Sequence, residues 1–123
     1  MTDDVAGVVA AYCGAWLETD GAARRALLDR AWGDGATYQD PTADVTGRDA
    51  LDAHIAGFHA HAPGARILIT SAVDSHHGQL RFTWKMVGAD GAVVVEGIDF
   101  GELGADGRLA RIVGFFGPLS PVT

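Results

Sequence analysis

The chain is predicted to fold as an α+β layer structure, in which helices from its first half cover one face of an antiparallel sheet built from its second half. Three observations predict this. Apolar residues recur at three- and four-residue steps up to residue 62, apolar and polar residues alternate singly after it, and Asp-Gly pairs at 90–91 and 106–107 punctuate the alternating half as hairpin turns. With 123 residues, 48% hydrophobic and 20% charged, there is material for one domain over 1–123 and one core. A two-domain enzyme is excluded.

Val5, Val8, Val9, Tyr12, Cys13, Trp16 and Leu17 share one helical face, and Thr2, Asp3 and Asp4 ahead of them offer oxygens to cap the first turn. This is the first helix. Residues 22–32 are rich in alanine, leucine and arginine and keep Ala23, Leu27, Leu28 and Ala31 to one side, a shorter second helix stopped by Gly33-Asp34-Gly35. Residues 36–40 read as a short extended segment, and Pro41 biases Asp40 away from helix, so Asp40 ends a strand. Gly47-Arg48-Asp49 opens a third helix with Leu51, His54, Ile55, Phe58 and Ala62 on one face, ended by Pro63-Gly64. Four strands over residues 66–74, 79–87, 92–103 and 108–116 then form an antiparallel meander.

The alternation tells the faces apart. Leu80, Phe82, Trp84 and Met86 oppose Arg81, Thr83 and Lys85, an apolar and a polar side. In the next strand Val93, Val95, Gly97 and Asp99 oppose Val94, Glu96, Ile98 and Phe100, so neither side is fully polar. Such a strand is covered on both faces, either by simple edge packing or by a second copy of the chain; the expectation is a homodimer through the outer sheet face.

Nine Lys and Arg against sixteen Asp and Glu give a formal charge of −7, which disfavours nucleic acid and anionic lipid as partners. The uncharged run over 5–17 falls short of the roughly 20 residues of a membrane span. Asp3 and Asp4 stand where a secretory leader would be basic, so a cytoplasmic protein is expected. Cys13 is the only cysteine, and its simplest role is core packing. His59 and His61 point to different helix sides while His76 and His77 occupy a turn, so neither a metal nor another cofactor is expected. A phosphate-binding glycine loop and a serine or cysteine nucleophile with its base are both absent from the sequence.

Two carboxylates stand out. Asp40, before Pro41, either caps the turn by accepting from backbone amides or, partly shielded by aromatic residues, moves a proton to and from carbon. Asp99 shares a strand side with two valines: either it is a structural ion held by an arginine or by amides, or desolvation keeps it protonated as a donor. Tyr12 among Val5, Val8 and Trp16 reads as a core tyrosine whose hydroxyl finds some partner. His54, between Leu51 and Phe58, reads as a satisfied core histidine or as a ligand contact.

Three helices, a short strand closing in Tyr38-Gln39-Asp40-Pro41, Gly97-Ile98-Asp99-Phe100 and the final Gly114-Phe115-Phe116-Gly117 together resemble the nuclear-transport-factor-2-like superfamily, whose cone-like curved sheet is shared by ketosteroid isomerases and SnoaL-like polyketide cyclases. The resemblance covers nearly the whole chain. It implies a cofactor-independent isomerase acting on an enone or related carbonyl compound, with Asp40 as proton-shuttling base, Tyr12 as oxyanion-hole donor and Asp99 as a protonated carboxyl beside it. It implies equally a SnoaL-like cyclase or hydrolase, or a non-catalytic ligand-binding or dimerisation module on the same scaffold. Ketosteroid isomerases carry a supporting tyrosine on the third helix where this chain has Ile55, next to His54. A cone closes imperfectly at its wide end, so a pocket for a small apolar, aromatic or steroid-like molecule is expected. Its expected lining is Trp16, His54 and Phe58 from the helices and Phe82, Trp84, Met86, Ile112 and Phe116 from the sheet, with Gly97 and Gly114 leaving the space.

Overall fold

In the computed structural model, which describes residues 4–123, helix α1 (Val5–Leu17) begins where the Asp4 carboxylate accepts from the Gly7 amide at 2.7 Å. Thr2 and Asp3, also expected to cap it, lie outside the described residues. Helix α2 (Gly21–Ala31) is capped the same way by Asp20. Arg24 of α2 is buried, and its guanidinium reaches Asp52 at 2.5 Å and the Glu18 carbonyl at 3.0 Å, so helix packing uses an ion pair that the apolar pattern did not reveal.

Gly33-Asp34-Gly35 does not separate helix from strand. Strand β1 (Trp32–Asp40) starts at once from α2, absorbing the glycines in an irregularity between Trp32 and Thr37, with Gly35 at φ +71°. A hairpin strand that sequence reading did not anticipate, β2 (Ala43–Thr46), folds back on β1, and Gly47 leads into helix α3 (Arg48–His61). The strand expected over 66–74 is broken into β3 (Arg66–Ile69) and β4 (Asp74–His76), both paired with β5 (Gln79–Val87). The break has a local cause: the Thr83 amide takes the Ser71 hydroxyl as its acceptor, at 2.8 Å, where a backbone carbonyl would continue the ladder. Strands β6 (Val93–Leu103) and β7 (Leu109–Phe116) complete the sheet in the order β2-β1-β7-β6-β5-β3. The expected antiparallel meander is there, and β1 joins β7 in parallel, so the curved, unclosed sheet is mixed.

Cross-strand register sorts the helix-facing side into rows. Tyr38, Ile112, Gly101 and Leu80 form one row across β1, β7, β6 and β5; Asp40, Gly114, Asp99 and Phe82 form the next; Phe116, Gly97, Trp84 and Ile69 follow towards the wide end. The first row is sealed, because Ile112 and Leu80 meet over Gly101, where an added Cβ would lie 2.8 Å and 3.0 Å from their Cδ1 atoms. Beneath the helices this row joins Leu28, Trp32, Leu51 and Ile55 in the core. On the opposite face Val94, Phe100 and Phe115 are 61%, 42% and 56% exposed, so in the protomer β6 is covered on one face only. No helix among the described residues is long and apolar enough to cross a membrane.

Candidate active site

Above the sealed row lies a cavity of about 500 Å³ between the sheet and helices α1 and α3. Tyr12 and Trp16 enter from α1, His54 and Phe58 from α3, Phe82, Trp84 and Met86 from β5, with Asp40, Asp99 and Phe116 at the ends or middle of their strands. Of the residues expected from sequence only Ile112 is elsewhere. It is 0% exposed and packed in the notch of Gly101, one row below the carboxyls, because its register opposite Tyr38 places it in the sealed end.

The small residues do not leave space either. Gly97 is covered by the Trp84 indole, whose Cζ2 would be 2.2 Å from an added Cβ, and Gly114 seats the Asp99 carboxyl, with Oδ1 2.8 Å from such an atom. Gly114 thereby lets the two carboxylates face one cavity from neighbouring positions of the same row, since an added Cβ would also lie 3.6 Å from that of Asp40.

Asp40 is held by three donors. Its Oδ1 accepts from the Thr42 amide and hydroxyl at 2.8 Å and 2.9 Å, and its Oδ2 accepts from the Tyr38 hydroxyl at 2.5 Å. The turn-capping reading of Asp40 and its place on the cavity therefore hold together. Tyr38, buried against Trp16 and His54 at ring distances of 5.6 Å and 5.5 Å, was missed as a site residue. Its signal was present: two residues before Asp40 on one strand means the same face. Burial, then the bond to Asp40, drives the Tyr38 phenol well above its ordinary range.

Asp99 is 6% exposed, and among the described residues neither an arginine nor a backbone amide bonds to it. Its one described hydrogen bond comes from the Trp84 indole, 2.9 Å from Oδ1. Burial pushes its pKa up to about 7; the indole bond opposes this, and the Asp40 charge adds to it. Below about pH 7 Asp99 is thus mostly a protonated carboxyl, able to donate. The Tyr12 hydroxyl is buried with no hydrogen-bond partner among the described residues, and its ring stacks on Trp32 at 5.6 Å. Burial first, then the Asp99 charge, hold that phenol protonated far above its usual range. Ile55 is fully buried and gives Tyr12 no polar support. Cys13 also lines the cavity, its thiol pushed up to about 12 by burial and by the Asp99 charge. His61 faces the cavity while His59 Nε2 donates to the Trp16 carbonyl, 2.8 Å away. Among the described residues no group of His, Cys, Asp and Glu is arranged to hold a metal ion.

A helical layer over a curved, unclosed mixed sheet is the fold of nuclear-transport-factor-2-like proteins. The chain belongs to the SnoaL-like domain family, whose profile matches residues 9–112. It is similar to a solved SnoaL-like protein from Agrobacterium tumefaciens strain C58 described as a candidate isomerase, at 31% identity and TM-score 0.86, covering 91% of this chain and 96% of that one. A protein from Sinorhizobium meliloti described as a candidate polyketide cyclase shares the fold at 18% identity and TM-score 0.71, over 93% and 98% of the two chains. So does an NTF2-like protein of unknown function from Cytophaga hutchinsonii, at 11% identity and TM-score 0.70, over 96% of each. No curated protein matches the chain in sequence.

Proposed function

We propose that the chain is a cofactor-independent enzyme that moves a proton between carbons of an enone or related carbonyl compound held in the apolar cavity. The observation that carries this reading is the pairing across Gly114 of a carboxylate fixed by three donors, Asp40, with a desolvated carboxyl whose pKa burial raises to about 7, Asp99. Asp40 takes a proton from the carbon next to the carbonyl. Charge develops on the carbonyl oxygen, and the buried Tyr12 hydroxyl and the Asp99 proton stabilise it. Asp40 then returns the proton further along the conjugated system. Aromatic walls from Trp16, Phe58 and Phe82 suit a planar apolar substrate.

The test is isomerisation of a β,γ-enone, such as a 5-ene-3-ketosteroid, together with binding of a phenolate that mimics the dienolate. Turnover is expected, and Tyr12→Phe and Asp99→Leu should each weaken phenolate binding by removing a donor. Absence of turnover, with phenolate affinity indifferent to both substitutions, overturns the reading in favour of a SnoaL-like aldol cyclisation or a binding role.

For the assembly we propose a homodimer through the outer sheet face. Its support is the band of Val94, Phe100, Val113 and Phe115, exposed or half-buried, with charged Arg81, Glu96, Glu102 and Arg111 beside it. Sedimentation at micromolar concentration should give twice the 12.8 kDa of the chain, and Phe115→Glu should return it to monomer. A purely monomeric wild type refutes the dimer.

A further inference from the structure

We propose that Trp84 is a positioning residue of the cavity: its indole N–H fixes Oδ1 of Asp99 and leaves Oδ2 as the oxygen that meets the ligand. This rests on the reading of Asp99 as a donor to a developing oxyanion. The geometry begins with register. Trp84 pairs with Gly97 and Asp99 pairs with Phe82, so Trp84 and Asp99 are diagonal neighbours on one face of β5 and β6. A tryptophan reaches along that diagonal only if the residue directly opposite is out of the way. Gly97 is that residue, its added Cβ falling 2.2 Å and 2.6 Å from Cζ2 and Cε2 of the indole. Phe116, edge-on at 5.6 Å, closes the other side and holds the ring in place. Oδ1 of Asp99 is therefore confined between the indole N–H and the bare Gly114, while Oδ2 has no such partner.

The same bond has a second consequence. An N–H aimed at Oδ1 favours the ionised carboxyl, in opposition to burial, so Trp84 sets the pH above which the donor is lost. Other titratable groups share the cavity: Tyr12 and Cys13 from α1, Tyr38 and Asp40 from β1, His54 and His61 from α3; β3, β5 and β7 contribute apolar side chains. The two phenols and the thiol stay protonated through the neutral range. Among these groups and Asp99, the indole N–H of Trp84 is bonded to Asp99, so a difference between variants at Trp84 that Asp99→Asn abolishes isolates Asp99.

The experiment measures affinity for 3,4-dinitrophenolate, ionised throughout, from neutral to mildly alkaline pH. In the wild type affinity should fall on going above about pH 7, as Asp99 loses its proton. Trp84→Phe keeps a ring against Phe116 but removes the N–H, and should move that midpoint upward by about one pH unit, the scale of one lost hydrogen bond to a charged group. Asp99→Asn should abolish the midpoint, and Trp84→Phe added to it should restore none. A midpoint that stays in place or moves down in Trp84→Phe overturns the proposal, since packing alone would admit water and favour ionisation.

Two failures remain separable. If the phenolate binds the wild type at no pH, the oxyanion reading fails, yet the ¹³C shift of the Asp99 carboxyl in ligand-free protein still reports the Trp84 effect. Should Trp84→Phe not fold, the indole N–H resonance of Trp84 in the unmodified protein decides: it should titrate with the Asp99 carboxyl, and a constant resonance refutes the bond.

Discussion

Asp40→Asn should lower enone turnover by roughly 10²–10⁴-fold, the usual contribution of a general base, while leaving the site able to bind. The substitution keeps shape and most of the local bonding. The amide oxygen still accepts from the Thr42 amide and hydroxyl, and the amide NH₂ can donate to Tyr38, whose hydroxyl both donates and accepts. What disappears is a lone pair basic enough to take a proton from carbon. Phenolate affinity should stay level or rise, because a negative charge next to the anion has gone. The comparison belongs below pH 7, since the Asp40 charge also helps Asp99 hold its proton, and at higher pH its removal would cost the site a donor. Retention of wild-type turnover in Asp40→Asn excludes Asp40 as the proton carrier; loss of phenolate binding with turnover would mark it as a structural cap instead.

Legibility in the sequence followed the range of the interaction. Each helix buries one stripe, so α1 and α3 were readable from spacing, and the turns at Gly91 and Gly107 were readable because only glycine is at ease at their φ of +83° and +81°. The parallel pairing of β1 with β7 joins residues 74 to 77 positions apart and leaves no local pattern, and β2 is too short to show one. At the site, alternation placed Asp99 on the apolar side of β6, and the resemblance gave Asp40 and Tyr12 their proposed roles. Composition could not say what fills the notch of a glycine. That depends on the residue across the ladder, which is why Gly97 and Gly114 were read as open space when they seat Trp84 and Asp99. Tyr38 was hidden differently: its alternation with Asp40 was visible, but the bond between them needs the aromatic support of Trp16 and His54 from two helices.

Ile112 separates wall from core most sharply. Its side chain is 0% exposed, its Cδ1 occupies the notch of Gly101, and it stands between Tyr38 and Leu80 in the sealed row, so truncation leaves a void that close-packed neighbours cannot fill. Ile112→Ala should therefore destabilise the fold by about 2–5 kcal/mol in urea or thermal unfolding. Phenolate affinity in the folded fraction should change little, because the side chain does not line the cavity. Phe116→Ala should do the reverse. That ring is 38% exposed at the cavity rim and touches Trp84, so its loss removes little buried area while uncovering the ligand and the indole. An Ile112→Ala variant of wild-type stability that fails to bind the phenolate would return Ile112 to the pocket wall and overturn the division of the concave face into a sealed row and an open one.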